Sequence, residues 1–164
     1  MADKDMYIGW LNDAYGMETS LISALESHIK DADGFPELQS GLRQHLEQTR
    51  NHANLMKGCI ERMGGGPSAL KAGLSNVGTA AKNLINRTSK DTVVKNTIDD
   101  FTSEHLEIAS YTSLIAAAEA MGDMETASIC RNIRVEEEQA AEVVRGQLPL
   151  ITTETLRGMV AARS

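Results

Sequence analysis

Four glutamates and two histidines interrupt stripes that a helical chain would otherwise fill with apolar residues. Read in steps of three and four, Ile8, Leu11, Tyr15, Ile22, Leu25 and Ile29 form one stripe, and the member between Tyr15 and Ile22 is Glu18. A second stripe, Leu38, Leu42, Met56, Cys59 and Met63, carries His45, Thr49 and His52 in its middle. A third, Thr97, Phe101, Ile108, Tyr111, Ile115 and Ala118, contains Glu104, with Glu107 at its edge. The fourth, Ile129, Ile133, Ala140 and Val144, contains Glu137. An ionised carboxylate is costly to bury unless it is paired or bound to a cation. Carboxylate oxygens with imidazole nitrogens suit iron or manganese, and helical bundles assemble such sites from glutamates and histidines on facing helices.

The elements that must position these residues are four long amphipathic helices, expected over about 5–30, 36–63, 91–121 and 124–148. Asp31 to Pro36 closes the first, Gly64-Gly65-Gly66-Pro67 the second and Gly122-Asp123 the third, while Pro149 is expected to limit the fourth. Residues 64–90 read as a long crossover. It carries a short helix of its own (Leu70, Leu74, Val77, Ala81, Leu84, Ile85), which Gly73 and Gly78 weaken by about 1 kcal/mol each. The tail from 149 to 164 reads as a short amphipathic helix (Ile151, Leu156, Val160) at an oligomer contact. Together these give a single all-α domain, an up-down four-helix bundle. Because a helix rises about 1.5 Å per residue, residues equally far from a tight turn share a height. Counted from the turn near Gly34, Glu18 faces the stretch between His45 and His52; counted from Gly122, Glu107 faces Glu137 and Glu104 faces Ala140. All four helices thus bring polar groups to mid-length.

Each residue also has a plainer explanation. His45 and His52 are equally readable as hydrogen-bonded core histidines, and Glu18 or Glu107 as side chains reaching solvent. Glu136-Glu137-Glu138 beside Arg131 and Arg134 reads first as a solvated, ion-paired face, with one or two of the three turned inward. The shared level of the set is what favours a site. A net charge of −7 excludes a basic nucleic-acid-binding surface. No apolar run is long enough to span a membrane, and the first residues lack a secretory pattern, so a cytoplasmic protein is expected. Cys59 and Cys130 have no CxxC spacing and read as buried free thiols. Gly64-Gly65-Gly66-Pro67 lacks the lysine of a phosphate-cradling loop, and no serine–histidine–aspartate or zinc pattern appears.

The segments His45-Leu46-Glu47-Gln48-Thr49 and Glu104-His105-Leu106-Glu107-Ile108-Ala109-Ser110-Tyr111 resemble the YciE/YciF-type family of bacterial ferritin-like stress proteins. Tyr15-Gly16-Met17-Glu18 and Val135-Glu136-Glu137-Glu138 do so too, in order and with matching spacing over about 7–148. The resemblance implies a ferritin-like bundle, a homodimer and a metal site of one or two iron or manganese ions. By analogy with di-iron bundles such as the rubrerythrins, Glu18 would be the first-helix ligand. Glu104 and Glu107 would be the paired carboxylates of the third main helix, and Glu137 the bridging carboxylate of the fourth. The chain departs from the usual Glu-x-x-His pairs: the matching positions read Thr49-x-x-His52 and Glu137-x-x-Ala140. His45, one turn from Thr49, is then the substitute ligand. Two functions follow. One is a metal protein of oxidase- or peroxidase-like chemistry toward a small oxidant, dioxygen or peroxide, with Tyr15 and Tyr111 beside the site. The alternative is a metal-free bundle that kept the fold as a structural or interaction module.

Overall fold

The computed structural model describes residues 3–68 and 90–161. Four helices account for nearly all of them: α1 (Lys4–Asp31), α2 (Pro36–Arg62), α3 (Thr92–Met121) and α4 (Met124–Ala161). Asp3 caps α1, its carboxylate accepting from the Met6 amide at 3.0 Å. Pro36 opens α2, where its missing N–H removes nothing. Gly122 ends α3 at φ 74, a left-handed conformation, and lets the Asp123 amide reach back to the Ala118 carbonyl at 2.8 Å. Asp123 then starts α4 by accepting from the Thr126 amide. The short turns make α1–α2 and α3–α4 two antiparallel hairpins, joined by the long connection between α2 and α3. This is the expected all-α, ferritin-like four-helix bundle. The short helix expected within the crossover lies outside the described residues.

Of the four main helix–helix contacts among the described residues, α3–α4 is the closest, then α1–α2, then α1–α3, with α2–α4 the loosest. Tyr7 donates to Asp123 Oδ2 at 3.1 Å, which puts the start of α1 beside the α3–α4 turn. The two hairpin turns therefore lie at opposite ends. One apolar cluster (Tyr7, Leu11, Met56, Ile60, Leu114, Ile133 and neighbours) fills the Gly122 end, and another (Leu25, Leu38, Leu42, Leu46, Ile151) fills the Gly34 end. Cys59 and Cys130 are buried free thiols of the first cluster, as expected. Gly65 closes over α1 and α2 so tightly that an added Cβ would lie 2.8 Å from the Ile8 Cγ2. Among the described residues, no helix is long and apolar enough to cross a membrane.

One boundary differs from expectation. Pro149 does not stop α4, which continues to Ala161. A mid-helix proline removes an amide donor and leaves the carbonyl of exposed Arg145 without its helical partner, yet the next turn stays helical. Thr152 Oγ1 donates to the Leu148 carbonyl at 2.8 Å, and Thr153 Oγ1 to those of Pro149 and Leu150 at 3.0 Å. Ile151, 2% exposed, joins the apolar cluster that contains Leu25 and Leu38 and holds the extension against the bundle. Replacing Ile151 with alanine is expected to cost about 2–4 kcal/mol in urea unfolding. It should also release amide-exchange protection beyond residue 149 first; a loss below about 1 kcal/mol would mean the extension is not anchored there.

Candidate metal centre

Between the two apolar clusters lies a polar layer to which every helix contributes. Glu18 comes from α1, His45, Thr49 and His52 from α2, Glu104, Glu107 and Tyr111 from α3, and Glu137 from α4; all are buried. Helical spacing explains the set. His45, Thr49 and His52 advance by four and three along one face, and Glu104, Glu107 and Tyr111 by three and four along another. The aliphatic clusters above and below fix the rotation of each helix and so commit these side chains inward.

Two donor groups result. His45, Glu104, Glu107 and Glu137 each offer an atom within 4.8 Å of the others, and so do Glu18, His52 and Glu137. Glu137 belongs to both. His45 Nε2 stands 2.9 Å from Glu104 Oε1 and 3.8 Å from Glu137 Oε2. His52 Nδ1 stands 2.7 Å from Glu137 Oε1 and 3.9 Å from Glu18 Oε1. Tyr111 donates its hydroxyl to Glu18 Oε1 in a short hydrogen bond. From outside the layer, Glu136 Oε2 meets His52 Nε2 at 2.8 Å. With Nε2 engaged there, the ring turns Nδ1 toward Glu137 and Glu18, the orientation a metal-binding histidine would use once the Nδ1 proton is displaced.

Many of these atoms have no hydrogen-bond partner. Glu18 Oε2, Glu104 Oε2, both oxygens of Glu107, Glu137 Oε2 and His45 Nδ1 are buried and unpaired. An unpaired buried polar atom costs about 1–3 kcal/mol, so this concentration at one level is not a relaxed core. Burial pushes Glu18 up to about 8, against the pull of His52. It also pushes Glu104 up to about 8, against hydrogen bonding and charge from His45. Glu107 rises well above the usual carboxylate range through burial and the neighbouring Glu18, Glu137 and Glu104. For the histidines burial acts downward, yet Glu104 lifts His45 to about 9, and Glu137 with Glu18 lifts His52 to about 9. Glu137 alone is lowered: burial is outweighed by His52, Glu104 and His45. The layer thus holds protons that a divalent cation would displace.

All six residues singled out from the sequence meet in this layer. Of the run Glu136-Glu137-Glu138, Glu137 is the one turned fully inward; Glu136 is partly exposed and serves His52, and Glu138 pairs with Arg134. Tyr111 is at the site, whereas Tyr15 is only partly buried and packs against the apolar cluster. The role of Glu136 had no signal in stripe reading, because it sits just off the core face. A second polar layer was also missed. His28, 2% exposed, places Nδ1 2.6 Å from Asp100 Oδ1, and Asn96 donates to Asp31 at 2.9 Å. These groups pair α1 with α3 near the Gly34 end. The buried face of α1 runs Tyr7, Leu11, Ala14, Glu18, Leu25 and His28, offset from the stripe read through Ile8 and Ile29.

Comparison with known proteins adds family and fold. A family model described as "Domain of unknown function (DUF892)" matches residues 2–157. A crystal structure of a Xanthomonas campestris protein is similar at TM-score 0.81 and 27% identity, covering 95% of this chain and 97% of that one. YcfI from Rhodopseudomonas palustris is similar at TM-score 0.71 and 25% identity, over 88% of this chain and 94% of that one. The E. coli stress protein YciF, at 23% identity, shares the fold with TM-score 0.71 over 93% of this chain and 99% of that one.

The proton inventory makes the metal-free protein sensitive to alkali. Glu18, Glu104, Glu107, His45 and His52 all hold protons more tightly folded than unfolded. Their stabilising contribution is therefore present below the unfolded values and lost as pH rises through the folded ones. The melting temperature of chelator-treated protein should fall as pH rises from 7 through 9, where Glu18, Glu104 and the histidines titrate. A Glu18→Gln/Glu104→Gln variant should show a shallower fall. A flat profile in the unsubstituted protein would refute this proton assignment.

Proposed function

We propose a metal-binding role for this chain, which belongs to the DUF892 family, the YciE/YciF-type stress proteins. Its polar layer holds one or two iron or manganese ions and serves the handling of small oxidants. The observation that carries this reading is the shared donor Glu137, whose two buried oxygens join two donor groups of oxygen and nitrogen ligands. A hydrogen-bonded network would satisfy every buried oxygen with a donor; here Glu18 Oε2, Glu104 Oε2 and both oxygens of Glu107 have none. The donor set fits hard or borderline divalent cations. His45, Glu104, Glu107 and Glu137 would hold one ion, and Glu18, His52 and Glu137 the other.

Bound iron or manganese would supply the electrons for reducing dioxygen or a peroxide. The chain's own residues have separable tasks. Tyr111 restrains Glu18 through its hydroxyl, Glu136 fixes the orientation of His52, and the aliphatic clusters on both sides keep bulk water from the layer. Tyr111 also places a phenol proton on Glu18, where it can follow a change of charge in the layer.

Thr49 and Ala140 favour a second reading. Neither brings a ligand, and the Thr49 hydroxyl donates to the His45 carbonyl at 3.0 Å. A bundle without metal would use the layer to set helix register or assembly. Equilibrium dialysis against iron(II) or manganese(II), followed by elemental analysis, separates the two. The metal reading expects one to two ions per chain, lost in Glu18→Gln/Glu104→Gln with helix content intact. Occupancy well below one, or a variant with unchanged metal and altered assembly, supports the second. Glu136→Gln should weaken manganese affinity by about 10- to 100-fold through loss of His52 orientation, measured by competition with a chelating dye.

A further inference from the structure

The departure Glu137-x-x-Ala140 has a structural consequence on the surface. Ala140 lies one turn beyond Glu137 on α4, at the α2–α4 seam, the loosest of the four main helix–helix contacts. A cavity of about 180 Å³ occupies that seam. Gly41 and Ala140, the two smallest lining side chains, stand on opposite walls, and His45 and Glu104 also line it. Neither Glu18 nor His52 does, so the cavity reaches only the donor group that contains His45. On those two lining residues, His45 Nδ1 and Glu104 Oε2 are buried and unpaired. Leu42, Val143 and Val144 form apolar walls, Gln44, Gln48, Gln139 and Gln147 supply uncharged amides, and the lining carboxylate of Glu136 is engaged by His52. Gln44, Gln139 and Val143 are exposed, which opens the cavity to solvent.

We propose that this α2–α4 cleft is the entry and binding site for a small neutral ligand of the centre, and that Ala140 is the residue that keeps it open. The inference rests on the metal reading above. Its chemistry follows from the lining. An apolar cavity of about 150 Å³ accommodates benzene, so this one takes a molecule of that size or smaller. Amides around the opening and aliphatic walls within suit a neutral molecule with one polar end. The side chain missing at position 140 leaves room beside His45 and Glu104, as catalytic metal sites leave one position open to an exogenous ligand. The absent ligand is therefore a vacancy for substrate on one side of the layer only.

Cobalt(II) as the metal and imidazole as the neutral probe test this without relying on turnover. Protein loaded with cobalt(II) is titrated with imidazole, at a pH where imidazole is uncharged, while the visible absorption of the metal is recorded. The expected result is a saturable spectral change in the unsubstituted protein. Ala140→Leu should weaken imidazole binding by about tenfold or more while cobalt stoichiometry is retained. Gly41→Leu blocks the cleft from the opposite wall. An added Cβ there meets nothing within 4 Å, so this variant decides the matter if Ala140→Leu fails to fold. A protein that takes up no cobalt overturns the centre and the cleft together. Cobalt uptake with a spectrum indifferent to imidazole overturns the cleft alone, as does undiminished imidazole binding in the folded leucine variants.

Discussion

Carboxylates packed against carboxylates in a dry interior are the constraint from which the rest of this structure follows. Glu104, Glu107 and Glu137 bring donor atoms within 4.8 Å of one another and of His45, and Glu18 approaches Glu137 just as closely from the other side. They cannot all be ionised there without a counter-charge. Two solutions exist: protons, which the raised titration of Glu18, Glu104 and Glu107 describes, or cations. Protons leave oxygens facing oxygens and many acceptors unpaired. Cations use the same lone pairs. The opposite behaviour of Glu137, held low by both histidines, marks it as the carboxylate around which either solution is organised.

The rest of the bundle resists the collapse that this layer invites. Aliphatic clusters on either side supply the burial that offsets its cost, and each helix crosses both clusters as well as the layer. Polar ties fix the helices lengthwise near the two ends: Tyr7 to Asp123 at one, and His28 to Asp100 with Asn96 to Asp31 at the other. A slip of α1 by one turn would break these ties and move Glu18 away from Tyr111. The extension of α4 past Pro149 adds Ile151 to the same task.

Much of this was legible because the bundle's period is simple and its polar exceptions fall on it. The stripe through His45, Thr49 and His52 is buried as read, and level counting from Gly34 and Gly122 brought the glutamates to one height. What was not legible depended on rotation and context. One residue's offset in α1 hid Tyr7 and His28. Glu136 could not be told from its neighbours in a run of three glutamates, because only the position of His52 across the bundle gives it a role. Pro149 looked like a stop because sequence alone does not reveal that Ile151, two residues on, is anchored in the apolar cluster at the Gly34 end. Ala140 looked like the loss of a ligand, whereas in three dimensions it forms one wall of a cleft that reaches His45.

The most direct measurement is anomalous diffraction from crystals grown with manganese(II), recorded on either side of a manganese-sensitive wavelength change. Two peaks flanking Glu137 are expected, one among His45, Glu104 and Glu107 and the other beside Glu18 and His52; a single peak at the first position would establish a mononuclear centre. Fully occupied surface peaks with none in this layer would contradict the account.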